Sequence, residues 1–162
     1  MRKFTLILVS LTILIVALGY TSCSTKNPGF AIYLADTGEV LLKDSDIEAF
    51  LSTENAFILN DGGVKSWNSF ATSTGSANIV LYNRDFVMKI GDEEICRGKI
   101  WALFSSFMPE GITLTGFIFK GGENNMIQIA EFHSDSGSGL NTIVRAKIVN
   151  YFSSQHKLKT DY

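Results

Sequence analysis

Residues 133–139 (HSDSGSG) combine side chains that could support acyl transfer or anion binding. They lie between a predicted strand and a predicted helix, so backbone N–H groups at the positive end of the helix dipole could bind an anion. A serine beside a histidine could also act as nucleophile and base. The candidate ligand loop therefore consists of His133, Ser136, Gly137, Ser138 and Gly139.

A second interpretation of this segment is an ordinary loop that caps the following helix. Asp135 stands where a G-x-S-x-G nucleophile elbow would have its first glycine, and the sequence does not indicate the parallel sheet on which that motif occurs. Ser138 and Asn141 are both good N-cap residues. We therefore name no catalytic residue, and the anion site and the hydrolase stay alternatives.

Other ligand-forming residues are few and poorly spaced for a metal. Beyond Cys23 the softer candidates are His133, His156 and Cys96, which do not have the spacing of a zinc or iron site. Asp44, Asp46 and Glu48 alternate as in a calcium loop, but the glycine that such a loop needs is missing. We expect no metal or cofactor. Cys96 is predicted to be a small buried apolar residue, and a thiolate activated by Arg97 is the alternative.

A run of aromatic and apolar residues follows the strand predicted to end near residue 100. Residues 101–104 read WALF and residues 107–109 read FMP, which is more aromatic than a connection requires. Core packing is the ordinary role of Trp101, as it is of Trp67. An exposed docking ridge is the alternative, because apolar surface patches often mark contact sites.

The N-terminus has the layout of a secretory signal. Arg2 and Lys3 precede a largely apolar run over residues 4–19. About 15 apolar residues suit the hydrophobic region of a signal peptide and are short for a stable spanning helix, which needs about 20. We predict that residues 1–22 are a signal peptide and do not belong to the folded domain.

Cys23 follows the small residues Thr21 and Ser22, and this stretch resembles the lipobox of bacterial lipoproteins. The resemblance implies cleavage before Cys23 and its acylation with chains such as palmitate. Tyr20 stands where the family usually has an aliphatic residue, so a plain cleaved signal or an uncleaved anchor stays an alternative. Acyl chains would give a stable anchor, since each buried methylene contributes about 0.8 kcal/mol.

All three interpretations place the domain outside the cytoplasm, and lipidation would place it at the cell membrane or the outer membrane. Residues 23–29 would be the lipidated cysteine and a short tether, and residues 30–162 a single domain. Loss of Arg2 and Lys3 leaves 12 of the 14 basic residues against 16 acidic ones, a net charge of about −4. A nucleic-acid partner is not expected, because its binding needs clustered basic charge.

Hydrophobic patterns predict an α+β domain. Alternating runs bounded by turn residues predict strands, mostly joined as hairpins. The predicted strands are 30–34, 39–42, 56–59, 86–90, 94–100, 112–119 and 126–132. The pattern indicates an antiparallel or mixed sheet.

Helical spacing predicts two amphipathic helices, one that contains residues 64–71 and ends near Gly75 and one over about residues 140–152, packed on one face of the sheet. Asn60 or Asp61 can cap the first of them. Ser45 and Glu48 form the spacing of a capping box, which predicts a short helix through about Leu51. Residues 79–82 fit either an extension of the preceding helix or a short strand.

Three segments resemble the first extracytoplasmic domain of the SecD protein-export subunit. Residues 57–67 (FILNDGGVKSW) are similar to its strand, glycine and aromatic helix. Residues 86–95 (FVMKIGDEEI) are similar to its hairpin, with Gly-Asp in place of Asp-Gly, and residues 113–117 (TLTGF) to a later strand. The resemblance implies a ferredoxin-like base and contact with polypeptides or envelope proteins. It departs beyond Cys23, where no stretch is apolar enough to span a membrane.

These observations favour a membrane-anchored lipoprotein with a non-catalytic domain that binds an envelope protein or peptide. The alternative is an anchored small-anion binder or hydrolase that uses the candidate ligand loop. The expected partners are the membrane, through the lipid on Cys23, and an envelope protein or peptide.

Overall fold

The computed structural model describes residues 29–102, 104–107, 109–118, 125–133 and 137–161. The predicted signal peptide, Cys23 and most of the predicted tether therefore lie outside the described residues. The strands are β1 Phe30–Leu34, β2 Val40–Lys43, β3 Ile47–Leu51, β4 Ala56–Leu59, β5 Asp85–Ile90, β6 Glu93–Trp101, β7 Gly111–Phe117, β8 Met126–His133, β9 Gly137–Gly139 and β10 Leu158–Lys159. The helices are α1 Asp61–Asn68, α2 Ala77–Val80 and α3 Thr142–Ser154.

The strands form one mixed sheet, which confirms the α+β class. Their order is β10-β3-β4-β8-β7-β6-β5-β1-β2, and β9 also pairs with β8. Most neighbours are antiparallel, while β6 pairs with β7, and β10 with β3, in parallel. Parallel neighbours need a connection that returns the chain along the sheet. For β6 and β7 that connection is residues 102–110, the aromatic-rich stretch of the sequence.

The sheet curls strongly around the core. Phe30 on β1 and Phe57 on β4 have ring centroids 5.4 Å apart, although four strands lie between theirs in the sheet order. A flat sheet would separate them by about 24 Å at the usual strand spacing. Helices α1 and α3 pack inside the curl, where Trp67 and Phe152 are fully buried. Both amphipathic helices therefore lie on the same face of the sheet, as predicted.

The local turns and caps follow the sequence. Gly38 and Gly91, with φ of 70° and 59°, supply the left-handed residues of the β1–β2 and β5–β6 hairpins. The side chain of Asn60 accepts a hydrogen bond from the Gly63 N–H and caps α1. Helix α3 buries four residues of the predicted apolar face, Val144, Ile148, Tyr151 and Phe152, whereas Ile143, predicted on the same face, is exposed. Asn141 caps the helix by accepting from the Ile143 N–H.

The predicted helix from Ser45 to Leu51 is wrong. The chain forms a short 3-10 turn, Asp44–Asp46, and then β3. The Asp46 side chain accepts a hydrogen bond from the Lys43 N–H and stabilises the turn. β3 pairs with β4 on one side and β10 on the other, and Phe50 is buried against Phe57. Two strand ladders and this burial outweigh a capping signal, which contributes only about 1 kcal/mol.

The first amphipathic helix ends at Asn68 and not near Gly75. Neither alternative for residues 79–82 is correct, because Ala77–Val80 forms a separate short helix, α2, and a turn follows it.

The ferredoxin-like base is not confirmed. Three strands, β8, β7 and β6, lie between β4 and β5, whereas a split βαβ unit has one strand between the two that its helix connects.

Cys96 is buried, as the sequence predicts, and its Sγ lies 3.9 Å from the Sδ of Met88. Burial, with smaller contributions from the charges of Glu94 and Glu131, raises the pKa of the Cys96 thiol from 9.0 to about 12. A thiol with so high a pKa in the folded state is a poor nucleophile at neutral pH.

We expect the stability of the Cys23→Ala protein to fall as the pH rises from about 9 to about 12. Over this range the unfolded chain releases the thiol proton while the folded chain keeps it, so deprotonation favours unfolding. Urea unfolding at a series of pH values measures the effect. Adding Cys96→Ala to that protein should remove this part of the pH dependence, and an equal slope in both proteins would contradict the assignment.

Candidate functional site

The candidate ligand loop is partly a strand. Gly137–Gly139 forms β9, whose backbone pairs with β8 in the register Glu131 with Gly139, Phe132 with Ser138 and His133 with Gly137. Ser136 lies outside the described residues. The glycines at 137 and 139 are thus paired with β8 and do not wrap the start of α3.

The N-terminus of α3 already has acceptors for two of its N–H groups. The Glu131 carboxylate accepts a hydrogen bond of 2.9 Å from the Asn141 N–H, and the Asn141 side chain accepts one from the Ile143 N–H. A carboxylate at this position also occupies the positive end of the helix dipole. An anion bound here would have to compete with the Glu131 carboxylate, and the small-anion binder and the hydrolase stay alternatives.

Among the described residues, no group of three or more His, Cys, Asp or Glu side chains could hold a metal ion. A cavity of about 250 Å³ lies at the β10 edge of the sheet, lined by Glu48, Leu51, Ile58, Leu59, Asn125, Lys159 and Asp161. Glu48 and Lys159 pair across it at 3.2 Å, and its three apolar residues are already buried by the fold. The cavity offers little apolar surface to a ligand.

An aromatic cluster with two exposed and two half-buried members lies beside the connection between β6 and β7. It consists of Tyr82, Trp101, Phe104 and Phe107, and we call it the aromatic ridge. Phe104 is 63% exposed and Phe107 is 77% exposed, although both are among the side chains that folding normally buries. The docking-ridge interpretation of residues 101–109 therefore describes this surface better than core packing does. Trp67, in contrast, is a core residue.

Tyr82 is the base of the ridge. Its ring centroid lies 5.3 Å from that of Trp101 and 5.4 Å from that of Phe104. Its hydroxyl lies 3.0 Å from the Oγ of Ser105, which in turn accepts a hydrogen bond from the Phe107 N–H. The ridge is thus tied to the turn after α2 as well as to β6. The sequence did not indicate Tyr82 as a site residue, and its only signal was the apolar run at residues 79–82.

The described charges beside the ridge are mostly paired. Arg84 donates to both carboxylate oxygens of Asp36, and this hydrogen bonding holds the pKa of Asp36 below its ordinary value. Lys99 and Asp85 pair at 3.0 Å. Glu110, at the end of the connection, adds one carboxylate. The immediate surroundings of the ridge are therefore close to neutral, with a slight acidic excess.

The outer face of the sheet continues the uncharged surface from Trp101. Trp101 stands opposite Thr115 on β7, and Thr115 stands opposite Gln128 on β8. Successive side chains on a strand point to opposite faces, and the neighbours of these residues, such as Ile100 and Leu114, fill the core. The row beside the ridge is thus uncharged on the outside of the sheet.

Comparison of the chain with protein-family models, curated proteins and solved structures gives no match. The resemblance to SecD therefore stays a prediction. Among the helices that the structure describes, none is long and apolar enough to cross a membrane.

Proposed function

We propose that this protein is a lipid-anchored extracytoplasmic domain that binds a protein or peptide through the aromatic ridge. Cys23 would carry the lipid, and residues 24–29 would tether the domain to the cell membrane or the outer membrane. The observation that carries the binding role is the exposure of Phe104, whose ring packs against Tyr82, and of Phe107, whose N–H donates to Ser105 beside it. Exposed aromatic residues of this kind dominate the energetics of protein interfaces.

The shape of the ridge supports a polypeptide partner. The ring of Tyr82 is inclined by 58° to that of Trp101 and by 51° to that of Phe104. The three rings therefore do not form the flat platform on which nucleobases stack. Inclined rings present edges and faces between which apolar side chains can insert. The resemblance to SecD, as an independent hint, implies the same class of partner.

The anchor is tested by intact mass and membrane fractionation of the protein expressed in bacterial cells. We expect the protein with Cys23 to gain a lipid-sized mass and to fractionate with membranes, while Cys23→Ala stays unlipidated.

The binding role is tested by photo-crosslinking in the same cells, with a benzophenone amino acid in place of Phe107. Illumination should give discrete protein adducts at position 107.

A benzophenone in place of Ile143 is the matched control, because Ile143 is 68% exposed but lies on α3, away from the ridge. The same adducts at both positions would mean that collision, and not binding at the ridge, produces them. If the wild-type and Cys23→Ala proteins are both free of lipid, Cys23 is not lipidated and the anchored part of the proposal is wrong.

A further inference from the structure

We infer that the aromatic ridge binds a short, uncharged apolar segment of a polypeptide. We also infer that the ridge is held away from the membrane in which the lipid anchor is inserted. This inference rests on the proposed function and makes its partner specific. Three observations support it: the size of the ridge, the charges beside it, and its position relative to the start of the domain.

The size of the ridge fits a short segment better than a large interface. A phenylalanine side chain offers at most about 250 Å², so the exposed parts of Phe104 and Phe107 together present on the order of 300 Å². A standard protein–protein interface, including that of a stable dimer, buries about 800 Å² on each partner. The two exposed phenylalanines supply less than half of that area, which is sufficient for a few apolar side chains of a peptide.

The charged residues beside the ridge favour an uncharged partner. The Arg84–Asp36 and Lys99–Asp85 pairs cancel each other's charge, and Glu110 leaves a slight negative excess. Anionic lipids and acidic peptides are attracted by clusters of unpaired Lys and Arg, which the described surroundings of the ridge do not provide. Affinity must then come from apolar contact, so it should change little with salt concentration.

The position of the ridge separates it from the anchor. The Gly91 N–H donates to the carbonyl of Gly29, so the domain begins at the Ile90 end of β5, while the Asn83 N–H donates to Ile100 at the other end. The length of β5 places the ridge about 17 Å from that start. The six residue-to-residue steps from Cys23 to Gly29 reach about 21 Å when fully extended. If β5 stood upright with its ridge end against the bilayer, the tether would have to span about 17 of these 21 Å, which is entropically unfavourable.

The first test selects random short peptides, displayed on phage, against the lipidated full-length protein in nanodiscs of phosphatidylethanolamine and phosphatidylglycerol. We expect enrichment of uncharged sequences with leucine or aromatic residues. The selected peptides should lose about tenfold or more in affinity with Phe107→Ser, keep it with Ile143→Ser, and bind equally at about 50 and 500 mM NaCl. Charged sequences, or binding that is independent of Phe107, would overturn the inference.

The second test locates the ridge relative to the bilayer. A fluorophore is attached through Phe107→Cys or, as the near-membrane control, Gly29→Cys, where a side chain would meet no atom within 4 Å. Cys96 is buried with a raised pKa, so labelling should be selective. With the lipidated protein in vesicles of the same lipids, nitroxide-labelled lipids should quench the label at 29 strongly and that at 107 weakly. Strong quenching at 107 would show bilayer docking and overturn the inference.

These outcomes are distinguishable from failure of the proposed function. A discrete crosslink from position 107 to a folded envelope protein, without peptide selection, would keep the proposed function and overturn the inference. A concentration-dependent dimer that Phe107→Ser abolishes would identify a second copy of this chain as the occupant, which also overturns it. Loss of the lipid on Cys23 would instead refute the anchored function itself.

Discussion

Replacement of Gly98 by alanine is expected to destabilise the domain by about 3 kcal/mol or more. Gly98 lies on β6 beside β7, and a Cβ built there overlaps the carbonyl oxygen of Ile112 and lies 3.0 Å from the ring of Phe86. The overlapping atom belongs to the backbone and cannot rotate away. The two parallel strands must therefore separate, and the expected cost is a large part of the 5–15 kcal/mol that stabilises a typical domain.

Urea unfolding of the Gly98→Ala and wild-type proteins measures this cost. Gly139→Ala is the matched control, because Gly139 also lies on a strand but a Cβ there would meet no atom within 4 Å. We expect the control to stay within about 0.5 kcal/mol of the wild type. An equal, small effect at both positions would contradict the close approach of β6 and β7.

The same contact connects stability to the proposed function. The parallel pairing of β6 and β7 fixes both ends of the connection that carries Phe104 and Phe107, and Trp101 is the last residue of β6. Separation of these strands would displace the rings of the ridge relative to one another. A milder substitution, Thr115→Ser, keeps this pairing and alters only the outer face beside Trp101.

The sequence predicted those parts of the fold that depend on neighbouring residues. Gly38 and Gly91 mark their hairpin turns, and the Asn60 and Asn141 caps begin the two longer helices, because each of these signals acts over a few residues. β3 could not be predicted in the same way. Its identity depends on pairing with β10, more than 100 residues away, and the local capping pattern of Ser45 and Glu48 favoured a helix.

The candidate site was predictable in part for the same reason. The density of aromatic residues at 101–109 was visible in the sequence and indicated a ridge. Tyr82 was not, because its contact with Trp101 exists only after α2 has brought the turn at residues 81–84 to the end of β6. The ligand loop at 133–139 shows the opposite case. Its composition indicated a loop with a helix cap or, as the alternative, an anion site. The Asn141 cap is present, but the pairing of Gly137–Gly139 with β8 depends on a strand that the local sequence does not show.

Truncation of Phe152 to alanine is expected to cost about 3–5 kcal/mol. Its ring centroid lies 5.1 Å from that of Phe30 on β1, 5.7 Å from that of Phe50 on β3 and 5.8 Å from that of Phe57 on β4. Strands β1 and β3 are far apart in the sheet order, so this one side chain helps to hold the curl closed. Its removal leaves a cavity that these rings cannot fill without moving the strands that carry them.

Thermal and urea unfolding should rank the variants as Phe152→Ala, then Phe152→Leu with a cost of about 1–2 kcal/mol, then Ile143→Ala within about 0.5 kcal/mol of the wild type. Ile143 lies on the same helix but is exposed, so it controls for the change in helix propensity. Hydrogen exchange should show β1 losing protection in Phe152→Ala, because the Phe30 N–H donates to the hydroxyl of Tyr151, the neighbour of Phe152. Protection of β1 equal to that of the wild type, with a cost below about 1 kcal/mol, would mean that the curl is held by the strand ladders alone.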